Sequence, residues 1–134
     1  MIGDFKAVEV ISLFVEDLQS ARRFYTEVLD LTVTYEDDVS CVVKFGNLML
    51  NLLHVSEAPQ LVTPRLPGMA GDGPRFLMTV ATADADGMFA ELSSRGVTFL
   101  NGPIDRPWGR RTAAFADPAG VVWEIAQELP PPAE

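Results

Sequence analysis

The chain has 134 residues, and 19 acidic against 10 basic side chains leave a formal net charge of −9. This balance argues against a nucleic-acid partner, whose phosphate backbone needs clustered Lys and Arg, and it is compatible with cationic small molecules. A single cysteine and a single histidine exclude a disulfide framework and a Cys/His zinc module. No apolar run reaches the roughly 18 residues of a membrane span, and the first residues lack a signal-peptide layout. We therefore expect a cytoplasmic protein.

The first half predicts one strand, one helix and three further strands. Residues 8–15 alternate and are rich in β-formers, which is typical of a strand. Asp17 is a candidate N-cap for an amphipathic helix over 18–29, where apolar residues recur at helical spacing. Three further strands are expected over 31–35, 40–45 and 48–55, separated by turn-forming residues.

The second half repeats this order after a stretch rich in Pro and Gly. A strand is predicted over 76–82, Asp84 is the second candidate N-cap, and Gly96 is placed to end the helix that follows. Three more strands are expected over 97–100, 112–115 and 121–126. Placing Asp17 on Asp84, an offset of 67 (84 − 17), superposes the two series of elements.

The repeated order predicts an α+β fold built from two βαβββ modules. The modules are expected over residues 1–55 and 74–134, with a linker over 56–73 and a Pro-rich tail at the end. A half of this size is small to stand alone, so we expect the modules to form a curved mixed sheet system. Its helices would cover one face and leave a concave cleft open.

Three segments, at 15–25, 90–97 and 107–125, resemble the vicinal oxygen chelate superfamily. That superfamily contains glyoxalase I, extradiol dioxygenases, fosfomycin-resistance enzymes and bleomycin resistance proteins. The resemblance covers nearly the whole chain outside the linker. It implies the doubled βαβββ fold and a homodimer whose clefts form between modules of the two chains.

The resemblance also implies four metal-ligand positions, which fall here at Val10, Asn51, Leu77 and Glu124. Two of the four are hydrocarbon side chains, whereas catalytic metal sites use about three protein ligands. We therefore predict no metal cofactor, with a weakly bound divalent ion as the alternative. Alternation places His54 on the opposite face from Asn51, as a cap of the strand end or a solvent-facing residue.

Strand alternation also predicts which side chains face the cleft. The open faces are mostly apolar with a few polar groups, which is the composition of a small-molecule pocket. The alternative is that these residues are buried in a dimer interface or a closed core. The predicted ligand-binding residues are Ser12, Phe14, Asn51, Leu77, Thr79, Trp108, Arg110 and Glu124.

Two of the side chains near this face, Trp108 and Glu124, have two interpretations each. Trp108 lies in a turn and either stacks on a planar ligand, as resistance proteins of the superfamily do, or braces the loop. Glu124, in an otherwise apolar strand, either pairs with Arg110 or Arg111 or receives a ligand. Arg106, Arg110 and Arg111 would instead favour an anionic ligand.

These residues predict a metal-independent binding protein that sequesters a partly aromatic molecule, such as an antibiotic of the bleomycin type. The alternative is a lyase, isomerase or dioxygenase that uses Glu124 as a general base or in a weak metal site. A third hypothesis is a structural or regulatory dimer with a vestigial cleft.

Overall fold

The computed structural model describes residues 2–4 and 6–132. Met1, Phe5, Ala133 and Glu134 lie outside the described residues, so parts of the predicted first module and of the predicted Pro-rich tail are not described. The chain divides into two compact units, Met1–Asp72 and Gly73–Glu134. Each unit contains the βαβββ order predicted from the sequence, so the α+β fold class is confirmed.

The first unit is a four-stranded mixed sheet with one long helical segment. Its strands are β1 (Val10–Val15), β2 (Thr32–Glu36), β3 (Ser40–Phe45) and β4 (Leu48–His54), and the helix α1 (Leu18–Arg23) continues as a π-helical turn over Phe24–Val28. The strand order is β1-β4-β3-β2. Strand β1 runs parallel to β4, and the other two pairs are antiparallel.

Helix α1 begins where the sequence predicts. The side chain of Asp17 accepts a hydrogen bond from the Ser20 backbone N–H at 3.0 Å and so satisfies one of the free amides of the first turn. Leu18 and Ala21 are buried, as is Tyr25 in the π-helical turn. This face of the helix is therefore part of the core of the first unit.

The segment predicted as a linker contains short regular turns. It includes 3₁₀ turns at Val55–Glu57 and Ala70–Asp72 and a one-turn helix, α2, over Pro59–Val62. The carboxylate of Glu16, at the end of β1, accepts a hydrogen bond from the Ala70 backbone N–H at 2.9 Å. The segment is thus attached to the first sheet rather than running free of it.

The second unit repeats the design of the first. Its elements are β5 (Leu77–Ala81), the helix α3 (Ala85–Ser94), β6 (Phe99–Asp105), β7 (Arg110–Ala116) and β8 (Val122–Glu128). The strand order is β5-β8-β7-β6, with β5 parallel to β8. None of the helices among the described residues is long and apolar enough to cross a membrane.

Helix α3 has both predicted end signals. Asp84 accepts a hydrogen bond from the Gly87 backbone N–H at 3.0 Å. Gly96 has a φ of +94°, and the next residue, Val97, returns a hydrogen bond from its N–H to the Leu92 carbonyl at 3.0 Å. This is the glycine-terminated helix end expected from the sequence.

Strand β6 is longer than the predicted 97–100 and is irregular. Three residues of β6 span the length of two residues of β7, because Asn101 lies opposite Ala114 while Ile104 lies opposite Thr112. Such a bulge moves the side chains that follow it onto the other face of the sheet. It determines which side chains of β6 reach the open face of the second unit.

Candidate functional site

The sheet of the first unit has one buried and one accessible face. In β1, Leu13 and Val15 are 2% and 0% exposed, whereas Val10 is 42% exposed and Ser12 is also accessible. Phe14 is half-buried on the same face as Ser12. The alternation therefore follows the predicted assignment of faces.

Two polar side chains meet at the centre of this open face. Ser12 lies directly opposite Asn51 in the β1–β4 register, and the Asn51 amide donates to the Ser12 hydroxyl at 3.4 Å. The other terminal atom of that amide, Oδ1, is buried and has no hydrogen-bond partner among the described residues. A buried carbonyl oxygen without a donor is costly, so it is available to a donor from a bound molecule.

The second unit presents a matching open face. Leu77 is 49% exposed and Thr79 is accessible, while the half-buried Glu124 lies opposite Thr79 in the β5–β8 register. The Thr79 hydroxyl donates to the Glu124 carboxylate at 3.0 Å. This hydrogen bond satisfies one carboxylate oxygen in part and leaves acceptor capacity towards the open side.

Of the two interpretations of Glu124 offered by the sequence, the ion pair with Arg110 or Arg111 does not form. Arg110 lies opposite Glu128 in the β7–β8 register and forms its ion pair there, at 3.2 Å. Arg111 projects to the other face, where it binds Asp105 at 2.6 Å and Asp86 of α3 at 2.9 Å. The register explains both pairings, because the residue of β7 opposite Glu124 is Ala114.

Arg110 nonetheless lies on the open face, two residues from Thr112 on β7. Its Nε atom is bound to Glu128, which itself is largely exposed. The structure thus places this predicted ligand-binding residue at the end of the open face, already engaged with a carboxylate.

A third arginine, Arg106, lies on the open face with Arg110. Its Nε donates to the Thr112 hydroxyl at 2.9 Å and its Nη2 to the Asn101 side-chain oxygen at 3.2 Å. Thr112 is only 1% exposed although it belongs to the open face. The sequence placed Arg106 in a turn but gave no indication of these two partners, because they depend on the bulge in β6.

Trp108 lies in the hairpin loop that joins β6 to β7. It is 68% exposed, and its ring centroid lies 5.9 Å from the Cζ atom of Arg106, within cation–π distance. The loop is closed by hydrogen bonds from the Arg106 N–H to the Arg110 carbonyl at 2.7 Å and from the Gly109 N–H to the Arg106 carbonyl at 3.0 Å. A large exposed ring on a closed hairpin is a ready stacking surface for a planar molecule.

The remaining reactive side chains lie away from the open faces. His54 ends β4, and its Nδ1 accepts a hydrogen bond from the Ser56 backbone N–H at 3.1 Å, so it caps the turn that follows as the sequence predicts. Cys41 is 1% exposed in β3, and burial raises the pKa of its thiol. Both side chains therefore have structural roles.

A family model described as the Glyoxalase/Bleomycin resistance protein/Dioxygenase superfamily matches residues 7–125. The chain belongs to this superfamily. The match takes in the four strands and helix α1 of the first unit and reaches into β8 of the second, so the resemblance drawn from the sequence is confirmed. A comparison with curated proteins finds no match.

Solved structures with the same fold include proteins of different activities. One is a glyoxalase/bleomycin resistance protein/dioxygenase from Nocardioides (TM-score 0.83, 23% identity, 96% of this chain and 89% of that chain). Another is a lactoylglutathione lyase from Agrobacterium tumefaciens (TM-score 0.72, 23% identity, 91% and 93%). A third is TnmS3, an antibiotic binding protein from Streptomyces sp. CB03234 (TM-score 0.69, 27% identity, 93% and 98%). The fold alone does not decide between these activities.

The four positions that correspond to metal ligands do not form a donor set. Val10 and Leu77 are exposed hydrocarbons, and Asn51 offers only a neutral amide that already contacts Ser12. Glu124 is the single strong ligand of the four, and it accepts from Thr79. Nor do three or more His, Cys, Asp or Glu side chains come together elsewhere in residues 2–4 and 6–132. The residues at these positions do not fit a catalytic metal ion, which needs about three protein ligands.

Proposed function

We propose that this protein is a metal-independent binding protein that sequesters a small, partly aromatic molecule, such as an antibiotic. The observation that carries the proposal is the chemistry of the four metal-ligand positions. Two hydrocarbons, one amide and one carboxylate cannot hold a divalent ion tightly, but on open sheet faces they form an apolar surface with a few hydrogen-bonding groups.

The polar groups of these faces suit recognition of a neutral or weakly polar scaffold. Oδ1 of Asn51 is a buried acceptor without a donor, and Glu124 retains acceptor capacity beside Thr79. Each would orient a ligand that supplies an N–H or O–H group. The accessible apolar side chains of Val10 and Leu77 would supply most of the buried area.

Two further observations support the proposed ligand. For an aromatic ligand, Trp108 presents a largely exposed ring on a closed hairpin. For an antibiotic as the ligand class, TnmS3, which is similar to this chain, is an antibiotic binding protein. We extend the proposal to a homodimer, because the accessible apolar residues of both faces favour burial against a second copy. The cytoplasmic location predicted from the sequence remains part of this proposal.

The proposal is tested by titrating bleomycin and an anthracycline into the protein and following tryptophan fluorescence. Trp108 is exposed and should respond, whereas Trp123 is 2% exposed and should not. Calorimetry on Trp108→Leu should show about a two- to thirteen-fold loss of affinity, because an aromatic stack contributes about 0.5–1.5 kcal/mol beyond its buried area. The control is Leu66→Ala, which removes another exposed apolar side chain that belongs to neither sheet.

Saturable binding that is weakened by Trp108→Leu and not by Leu66→Ala supports sequestration. Absence of binding of both antibiotics at about millimolar concentration would contradict the antibiotic class. Equal loss of affinity in the two variants would contradict a role for Trp108.

The second candidate function is catalysis with Glu124 as the general base. It is favoured by the position of this carboxylate on an open face, hydrogen-bonded to Thr79 and without a cationic partner among the described residues. The substrates to assay are the hemithioacetal of methylglyoxal with glutathione, and catechol. Turnover by the wild type that Glu124→Gln abolishes would favour the enzyme over the binding protein. Turnover that Glu124→Gln retains would remove Glu124 from the mechanism.

A further inference from the structure

Arg106 differs from Arg95, Arg110 and Arg111 of the second unit in its surroundings. Arg95, Arg110 and Arg111 each form an ion pair with a carboxylate. Arg106 has two neutral partners, and no carboxylate lies within 4.0 Å of it in the part of the chain that the structure describes. In a chain with 19 acidic side chains against 10 basic ones, this cation is left without a counter-charge.

The two neutral partners fix the orientation of the guanidinium. Nε is bound to Thr112 and one N–H of Nη2 to Asn101, at 2.9 and 3.2 Å. A guanidinium has five N–H donors, so three remain, on Nη1 and Nη2. Nη1 and Nη2 form one of the two guanidinium edges through which arginine can make paired, parallel hydrogen bonds to a carboxylate.

The side chain is also held before any ligand arrives. Its backbone closes the β6–β7 hairpin, its head is bound to two strands, and the Trp108 ring lies 5.9 Å from its Cζ atom. A side chain that is already ordered loses little conformational entropy on binding, which favours affinity. The arrangement places a planar cation on the open face and an exposed aromatic ring beside it, in the hairpin loop.

We infer that Arg106 and Trp108 form an anion-recognition subsite for a planar aromatic ligand that carries a carboxylate or a similar anionic group on its ring. The anionic group would bind the free edge of the Arg106 guanidinium while the ring lies against Trp108. This inference rests on the proposed function, since it specifies which aromatic molecules the open face takes. It departs from the bleomycin type, because it predicts an anionic rather than a cationic ligand.

The position of Glu124 is consistent with such a ligand. Asn101 of β6, which binds Arg106 Nη2, and Glu124 of β8 both lie opposite Ala114 of β7, so they are two strand spacings apart, about 10 Å. A carboxylate held at Arg106 would therefore lie beyond direct contact with Glu124. The Glu124 carboxylate would face the other end of the ligand, where it could accept a hydrogen bond.

The experiment compares two probes that differ only in charge, 2-naphthoate and 2-naphthamide, by calorimetry on the full chain. We expect the wild type to bind 2-naphthoate at least about ten-fold more tightly, since hydrogen bonds to charged groups are the stronger ones. Arg106→Gln should abolish this preference, and Arg106→Lys, which keeps the charge but not the paired geometry, should retain part of it. Trp108→Leu should weaken both probes by the same factor.

The control is Arg95→Gln, which changes the net charge equally in helix α3 of the same unit and should leave the preference intact. A role of Arg106 in bracing the hairpin alone would change the affinity for both probes together and leave their ratio unchanged. That result, or equal binding of the two probes by the wild type, would overturn the inference while leaving an aromatic-binding face in place. Failure of both probes to bind at about 10 mM would overturn the proposed function as well.

Discussion

Replacing Gly102 by alanine should cost more stability than replacing Gly96, although the two glycines have nearly the same φ angle. Their φ angles are +91° and +94°. A Cβ on Gly102 would lie 2.6 Å from the Ala113 Cα and would overlap the Thr112 carbonyl, whereas a Cβ on Gly96 meets nothing within 4 Å. The pair therefore separates the strain of a left-handed backbone from the steric overlap.

The expected magnitudes follow from these two terms. An alanine in the left-handed conformation costs roughly 1–2 kcal/mol of stability. Part of this cost is offset, because alanine makes the unfolded chain less flexible and so stabilises the folded state by about 0.4–1 kcal/mol. Gly96→Ala should therefore lower the free energy of unfolding by about 1 kcal/mol. Overlap with β7 adds about 1–3 kcal/mol, so Gly102→Ala should lose about 2–4 kcal/mol, a large part of the 5–15 kcal/mol typical of a domain.

Urea denaturation followed by circular dichroism measures both variants against the wild type. Failure of Gly102→Ala to fold under conditions in which Gly96→Ala folds would be the extreme form of the expected result. If the two variants lose free energies of unfolding that agree within about 0.5 kcal/mol, the expected steric overlap at Gly102 is contradicted. Such a result would mean that β6 does not approach β7 as closely as the bulge requires, and the partners of Arg106 would then come into question.

Three further outcomes are expected. Asp37→Asn should destabilise the protein near pH 7 but hardly at about pH 3. Hydrogen bonds, first from the Val39 N–H and then from the Tyr35 hydroxyl, lower the pKa of the Asp37 carboxyl, so its contribution to stability is present above the unfolded pKa and is lost as the pH falls through the folded pKa. An equal loss of stability at both pH values in urea titrations would contradict this. Cys41 should react with Ellman's reagent only on unfolding, because burial leaves it 1% exposed and raises its thiol pKa; rapid, stoichiometric reaction of the native protein would contradict this. Leu50→Ala, at a fully buried position of the central strand β4, should lose about 2–5 kcal/mol in the same denaturation assay, and a loss below about 1 kcal/mol would show that the site is not packed.

Local signals in the sequence predicted much of the fold. Asp17 and Asp84 cap the helices as expected, and Gly96 ends the second one. The faces of β1 and β5 follow from alternation, because both strands pair regularly with β4 and β8. Capping and alternation depend on residues close in sequence, so they can be read without knowing the tertiary structure.

The surroundings of the arginines could not be predicted in this way. Arg110 and Arg111 pair according to the register of β7 with its neighbours, which turn signals alone do not determine. Asn101 and Arg106 have opposite parity along the chain, and only the extra residue in β6 brings both to the same face. The position of such a bulge depends on how β6 packs against β7, and Gly102 permits the close approach of the two strands.

The proposed function requires that ligand binding needs no metal ion, and the metal content of the purified protein tests this requirement. The protein would be prepared without an affinity tag or chelator and analysed by inductively coupled plasma mass spectrometry. Fewer than about one-tenth of a divalent ion per chain is the predicted result, since Val10 and Leu77 offer no ligand atoms and Asn51 only a neutral amide. Close to one ion per chain would contradict this requirement and make the enzyme the leading hypothesis.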